Sequence, residues 1–256
     1  MCNGPWYDSF YEAAEKSGAY AAYCARTFGR DFSQQGFSDM AQIGFMLDKV
    51  CLRPGQKVLD IGCGNGKMVE YIADAYGVLG CGFDISETAI GAARRRTAGK
   101  KDRLDFCQGS LNGMRYGEES FDTVFSVDTL YFADDMKETV REILRWIKPG
   151  GYFAAFFSEF LFSKDDPMEK LTPSGTGLAK VLQGEQIPYD VYDFTKSHYE
   201  VMRRKRKVLS GMKQAFEAEG TEILYDNAFT ESIGEDMRYE DFQRFSARFL
   251  YISKKA

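Results

Sequence analysis

Apolar residues along this chain recur with two periods, and the period changes where turn residues stand. Short apolar runs at Lys57–Ile61, Leu79–Phe83, Leu104–Gln108, Phe121–Val127 and Tyr152–Phe157 predict buried strands. Between them lie stripes spaced by three and four residues. Met68, Val69, Ile72, Ala73 and Tyr76 form one, and Met136, Val140, Ile143, Leu144 and Ile147 form another; both predict amphipathic helices. Ser86 is placed to cap a third helix, which runs through Ala89 and Ala92 to Arg94-Arg95-Arg96, where cations suit a helix C-terminus. Strand and helix alternating in this way predict a parallel sheet covered on both faces.

The flanks read differently. Trp6 to Phe28 is rich in alanine and aromatics and predicts a helical arm, either a lid over a site or a helix packed permanently on the sheet. After a loop at residues 29–37, Ser38 can cap a helix with Asp39 in its first turn and Met40, Ile43, Met46, Leu47 and Val50 on its buried face. From Ser158 to Asp193 the pattern breaks at Pro167, Pro173, Gly175, Gly177, Gly184 and Pro188, which predicts an irregular insertion. Thr195 or Ser197 can cap a helix reaching about Glu219, with the basic run Arg203 to Lys207 on its solvated face. Strands follow at residues 222–225 and 244–253. The fold class is thus α/β: a doubly wound sheet of seven strands, mostly parallel with the last antiparallel, divided into an arm (1–50), a core (51–157), a cap insertion (158–196) and the end of the core sheet (197–256).

One stretch carries more than packing. Val58-Leu59-Asp60-Ile61-Gly62-Cys63-Gly64-Asn65-Gly66 is a strand closing on an acid, then three glycines at alternate positions before a helix begins at Lys67. A dinucleotide turn reads G-x-G-x-x-G, and here Lys67 stands where its third glycine would be. Asp84 closes the next strand about twenty residues on, where a carboxylate can hold ribose hydroxyls. With the Lys148-Pro149-Gly150-Gly151 turn, these features resemble the class I (Rossmann-like) S-adenosylmethionine-dependent methyltransferases, closely over residues 56–151 and loosely elsewhere.

That resemblance implies S-adenosylmethionine as cofactor, leaving as S-adenosylhomocysteine, with contacts from Asp60, Gly62, Cys63, Gly64, Gly66, Asp84, Ile85, Ser126 and Val127. Where the family usually carries an acid for the adenine amino group, Ser110 and Leu111 stand, and the Ser110 hydroxyl can accept a hydrogen bond. It also implies the small-molecule type, with the arm and the insertion folding over the acceptor. Residues just after the fourth strand then face the transferred methyl. Asp128, Tyr131 and the single histidine, His198, are the candidate proton acceptors, and Tyr11, Tyr20 and Tyr23 are candidate pocket walls, aromatic faces being suited to amines or flat acceptors.

Composition narrows the partners. The net charge is −5 over 256 residues, which gives no electrostatic reason to bind nucleic acid. Six dispersed cysteines without a C-x-x-C pair argue against a structural metal or a disulfide framework, and no long apolar run suggests a membrane span. The expectation is a cytoplasmic enzyme, monomer or homodimer, methylating a small amine or hydroxyl. An RNA or protein methyltransferase, a non-catalytic adenosylmethionine-binding protein and an NAD-dependent oxidoreductase are the alternatives. The glycine spacing argues against the last.

Overall fold

The computed structural model describes residues 4–163 and 165–256; Cys2 at the start of the arm and Lys164 in the insertion lie outside them. In chain order the elements are α1 (Gly4–Lys16), α2 (Gly18–Phe28), α3 (Met40–Val50), β1 (Lys57–Ile61), α4 (Lys67–Tyr76), β2 (Leu79–Asp84), α5 (Glu87–Arg96), β3 (Leu104–Gln108) and β4 (Phe121–Val127). There follow α6 (Met136–Trp146), β5 (Ile147–Phe160), α7 (Gly177–Gly184), β6 (Asp190–Asp193), α8 (Thr195–Leu209), α9 (Lys213–Glu219), α10 (Glu222–Thr230), α11 (Tyr239–Phe242) and β7 (Ser246–Lys254). Seven strands form one sheet in the order β3-β2-β1-β4-β5-β7-β6, and only β7 runs antiparallel to its neighbours. The chain winds outward from β1 in one direction and resumes at β4 on its other side. That reversal opens a crevice beyond the carboxyl ends of β1 and β4.

Alternate residues of the strands feed two cores. Val58, Phe125, Phe156 and Leu250 pack under α3, α4 and α5, while Leu59, Ile61, Phe83, Val124 and Phe157 pack under α6 and α7. A third core joins the arm to the late helices: Phe10, Tyr20, Tyr23 and Phe28 pack against Val201, Leu209, Phe216 and Leu224. The arm is therefore seated on other helices through a buried apolar face. Tyr20 and Tyr23 belong to that core, 2 % and 1 % exposed, and line no part of the crevice, which corrects their expected place at the substrate.

Several local expectations change for identifiable reasons. Asp39, not Ser38, caps α3, accepting from the amides of Ala41 (3.1 Å) and Gln42 (3.0 Å). Residues 222–225 open α10 instead of forming a strand, and the sixth strand in sequence is β6, inside the stretch expected to be irregular. The helix expected up to Glu219 breaks at Ser210-Gly211-Met212 into α8 and α9, and neither Thr195 nor Ser197 caps it: the preceding Phe194 offers no side-chain acceptor. The basic run is a solvated face only at Arg203 and Lys207. Lys205 is 2 % exposed and paired with Glu231 at 2.9 Å, Arg204 reaches the Thr27 carbonyl and Asp39, and Arg206 donates to Ser232. The described residues of the insertion do not line the crevice either: its α7 buries Leu178, Ala179 and Leu182 under the sheet and β6 extends the sheet's edge.

Candidate functional site

One cleft lies at the crevice, in two connected lobes of about 630 Å³ and about 580 Å³ that share Tyr11, Gln35, Gly62, Val127 and Asp128. The first lobe is bounded by Asp84, Ile85, Ser110 and Leu111, with Tyr7 of the arm opposite. The second is bounded by Asp60, Cys63 and Gly64 and covered by the segment 32–38. Lys67, in the first turn of α4, binds Asp31 at 2.7 Å and Ser33 at 2.8 Å and so ties that segment down.

The turn after β1 has the shape its glycines predict. Gly62 and Gly64 have φ of 68° and 54°, the left-handed region costly for other residues. A Cβ on Gly62 would lie 2.6 Å from Thr129 Cγ2, and one on Gly64 would run into the Tyr11 hydroxyl. Asp84 is 8 % exposed; one carboxylate oxygen accepts from Gly64 N and the other from Ser86 N, each at 2.9 Å. A carboxylate has about four acceptor positions, so about two remain toward the lobe that Asp84 lines. Burial raises the pKa of Asp84, and the two amides oppose that rise. Asp60 is pushed well up by burial and then by the charge of Asp84. A ribose-bearing cofactor fits this side: two hydroxyls can donate to Asp84, and the backbone of residues 62–64 lies open to the second lobe.

At the far end of the cleft stands a second carboxylate. Asp128 has φ of 57°, and both its oxygens face the guanidinium of Arg248 on β7. Asp128 Oδ1 also accepts from the Tyr131 hydroxyl at 3.1 Å, and Oδ2 from the amide of Phe37 at 3.3 Å. Arg248 is fully buried and spends its other donors on Gln42, Ser38 and Ser158. Sequence reasoning missed this arginine. The available signal was a charged side chain amid an otherwise apolar strand, since such a charge is buried only with partners.

Of the sequence-predicted residues, the cleft brings together Asp60, Gly62, Cys63, Gly64, Asp84, Ile85, Ser110, Leu111, Val127, Asp128 and Tyr11. Six fall outside its walls: Tyr20 and Tyr23 in the core of the arm, and Gly66, Ser126, Tyr131 and His198. Gly66 is the N-cap of α4, backed by Phe106; Ser126 is fully buried within the sheet between Ile61 and Ala155; Tyr131 reaches the cleft only through Asp128. Although 37 % of the surface of Tyr131 is exposed, its hydroxyl is held between Asp128 and the amide of Ser158 (2.6 Å), and burial pushes its pKa up. His198 is a correction. It is fully buried against Phe37, Phe160 and Phe242, neither ring nitrogen has a hydrogen-bond partner among the described residues, and burial followed by the charges of Arg248 and Lys205 holds its pKa well below 6.5. The segment 32–38 lines the cleft without having been singled out, and Tyr7 and Thr129 line it from stretches expected beside it.

Residues 59–155 match the family described as a methyltransferase domain. Phosphoethanolamine N-methyltransferase 1 of Triticum aestivum is 30 % identical over 214 residues, 79 % of this chain and 42 % of the relative. The chain spans less than half the length of the curated relatives it matches first. A phosphoethanolamine N-methyltransferase of Haemonchus contortus, solved with phosphomonomethylethanolamine and S-adenosylhomocysteine, superposes with a TM-score of 0.73 at 18 % identity, over 97 % of this chain and 60 % of that one. The cyclase SpnF superposes with a TM-score of 0.63 at 19 % identity, over 83 % of this chain and 79 % of that one. The architecture is therefore shared with proteins of more than one activity, and the glycine turn, Asp84 and the matched domain specify the group. Residues 59–155 are thus a methyltransferase domain on the class I, Rossmann-like fold that these neighbours share, a domain whose cofactor is S-adenosylmethionine.

Proposed function

We propose that this chain transfers the methyl group of S-adenosylmethionine to a small-molecule acceptor held between the two lobes. The observation that carries this reading is the pairing of Asp84, with acceptor positions facing the first lobe, with an adjoining aromatic lobe roofed by Tyr11, Phe32 and Phe37. The cofactor supplies a methyl group activated on a sulfonium cation. The chain's residues bind and align: Asp84 holds the ribose, Ser110 and Leu111 flank the adenine, and Asp60 with the amides of residues 62–64 faces the amino-acid end. Tyr7 and Tyr11 exclude water from above, which makes the arm the lid of the site. Alignment in a water-poor cleft is worth roughly 7 kcal/mol or more in the best cases, so positioning can be the protein's main contribution.

A buried cleft suits a small acceptor better than a nucleic acid, as does the net charge of −5. Among the described residues no helix is long and apolar enough to cross a membrane, and we place the enzyme in the cytoplasm as a monomer or homodimer. The late part of the insertion serves the sheet, leaving the arm and the segment 32–38 to meet the acceptor. Calorimetric titration with S-adenosylmethionine, S-adenosylhomocysteine and NAD, followed by assay of methyl transfer to small acceptors, tests the proposal. Binding of the first two without NAD, then transfer, is the expected result. Binding of NAD alone overturns it, and binding without any transfer reduces the chain to a cofactor-binding protein.

A further inference from the structure

Resting on the reading of Asp84 as the ribose carboxylate, we propose that Asp8 of the arm is a positioning residue for the cofactor, acting on Asp84 through Ser86. α1 crosses the cofactor side of the cleft with Tyr7 and Tyr11 on the cleft wall and Asp8 turned to the start of α5. Asp8 Oδ1 accepts from the Ser86 hydroxyl at 2.6 Å and from the Thr88 amide at 3.0 Å. Ser86 in turn gives its own amide to Asp84 Oδ1 at 2.9 Å. These contacts make one chain of hydrogen bonds from the arm to the carboxylate.

The two oxygens of Asp84 are supported differently. Oδ2 accepts from Gly64 N, which the glycine turn fixes by its own backbone, whereas Oδ1 accepts from Ser86 N, at the end of the turn that opens α5. That helix has a cap without Asp8, because the Ser86 hydroxyl accepts from Ala89 N at 3.1 Å. What Asp8 adds is an acceptor for two donors the helix leaves over: the hydroxyl proton of Ser86, a fully buried residue, and the Thr88 amide in the first turn.

Without Asp8 both donors are stranded, and the turn has to shift to find others. The amide of Ser86 moves with it. Asp84 then loses the partner that aims Oδ1, while Oδ2 keeps Gly64. The same place seats the arm, since a Cβ on Gly4 at the start of α1 would lie 3.7 Å from the Ile85 side chain. Arm docking and ribose recognition therefore share the turn at residues 85–88. By linkage, a ligand that holds Asp84 tightens the docked arm by the factor that the docked arm tightens the ligand.

The test is titration of the full chain with S-adenosylhomocysteine and with its 2′,3′-dideoxy analogue, which offers Asp84 no hydroxyl. Asp8→Ala should weaken S-adenosylhomocysteine about tenfold, on the scale of one hydrogen bond to a charged group, and leave the affinity of the analogue unchanged. Asp8→Asn, whose amide oxygen can accept from both donors, should stay within about threefold of the wild type. In the Asp84→Ala background the further change Asp8→Ala should cost nothing more. A loss that persists for the analogue or in that background means that Asp8 only holds the arm, and it overturns the inference. So does unchanged affinity in a folded Asp8→Ala. Hydrogen exchange on the wild type needs no variant: at equal saturation, S-adenosylhomocysteine should slow exchange in α1 more than the analogue does, and equal protection overturns the inference too. A wild type that binds ligand and analogue equally removes the ribose role beneath it, and one that binds neither sinks the cofactor reading itself.

Discussion

Asp84 and Asp128 each stand at the end of a parallel strand and each present a carboxylate to the same cleft, yet they are held in different ways. Asp84 is fixed by two amides from its own βαβ unit, the farther only 20 residues away. Asp128 is fixed by Arg248, 120 residues away, and that arginine by Ser38, at a separation of 210. The Asp84 wall, proposed for the cofactor, therefore rests on local backbone geometry, and the Asp128 wall, proposed for the acceptor, on a buried polar network contributed by the segment before α3, α3 itself, β5 and β7. The first is robust to changes late in the chain. The second fails as a unit, because removing one member strands a buried charge.

The sharpest way to break the comparison is Arg248→Met. It leaves Asp128 without its partner, and urea unfolding should show a loss of about 3–5 kcal/mol; a loss below about 1 kcal/mol would mean the network is not a unit. Next is Asp84→Ala, expected to weaken S-adenosylmethionine binding about 100-fold, or roughly 2.8 kcal/mol, in a titration, with the unfolding midpoint little changed. Unchanged affinity would remove the ribose role.

A third prediction is a matter of pH. The pKa of His198 is depressed below 6.5 in the folded chain, so on acidification the unfolded state takes up a proton that the native state refuses. The contribution is absent at high pH, and stability is lost as pH falls through the unfolded value, by up to about 1.4 kcal/mol per pH unit. Below pH 6.5 the wild type should lose stability faster than His198→Leu, and equal slopes between pH 5 and 6.5 would show that the histidine titrates freely. The smallest effect belongs to Tyr20→Phe, which removes a hydrogen bond to the Gln34 carbonyl (3.1 Å) and should cost about 1 kcal/mol without altering cofactor affinity. A tenfold loss of affinity would put Tyr20 back at the site.

What the sequence made legible follows the same division. β1, β3 and β4 have the bounds their apolar runs predict, and the glycine turn with Asp84 stands at the cleft, since short-range periodicity and backbone chirality are written locally. Residues 222–225 were misread because Ile223-Leu224-Tyr225, a short apolar run after Glu222, fits a strand or the first turn of a helix equally well. β6 escaped because Asp190-Val191-Tyr192-Asp193 is too short and polar to stand out beside Pro188. Tyr20, Tyr23 and His198 were misplaced for another reason: aromatic and imidazole side chains serve packing as readily as chemistry, and only tertiary neighbours decide. The Arg248 network joins residues from four places in the chain, and its one local trace is a charged residue within an apolar strand.

Arg248 also has a bearing on the order in which the molecule is made. During synthesis β1, α4 and β2 leave the ribosome long before β7, so the glycine turn and Asp84 can come together while the acceptor wall is still unmade. Until the final strand inserts between β5 and β6, Asp128 has no guanidinium to meet, Ser38 and Gln42 have no guanidinium to accept from, and the sheet carries two open edges where it will later have a continuous interior. Insertion of β7 is thus one event with two results, closing the sheet and fixing Asp128 at the cleft, so that a nascent chain holds that wall only once β7 has been made.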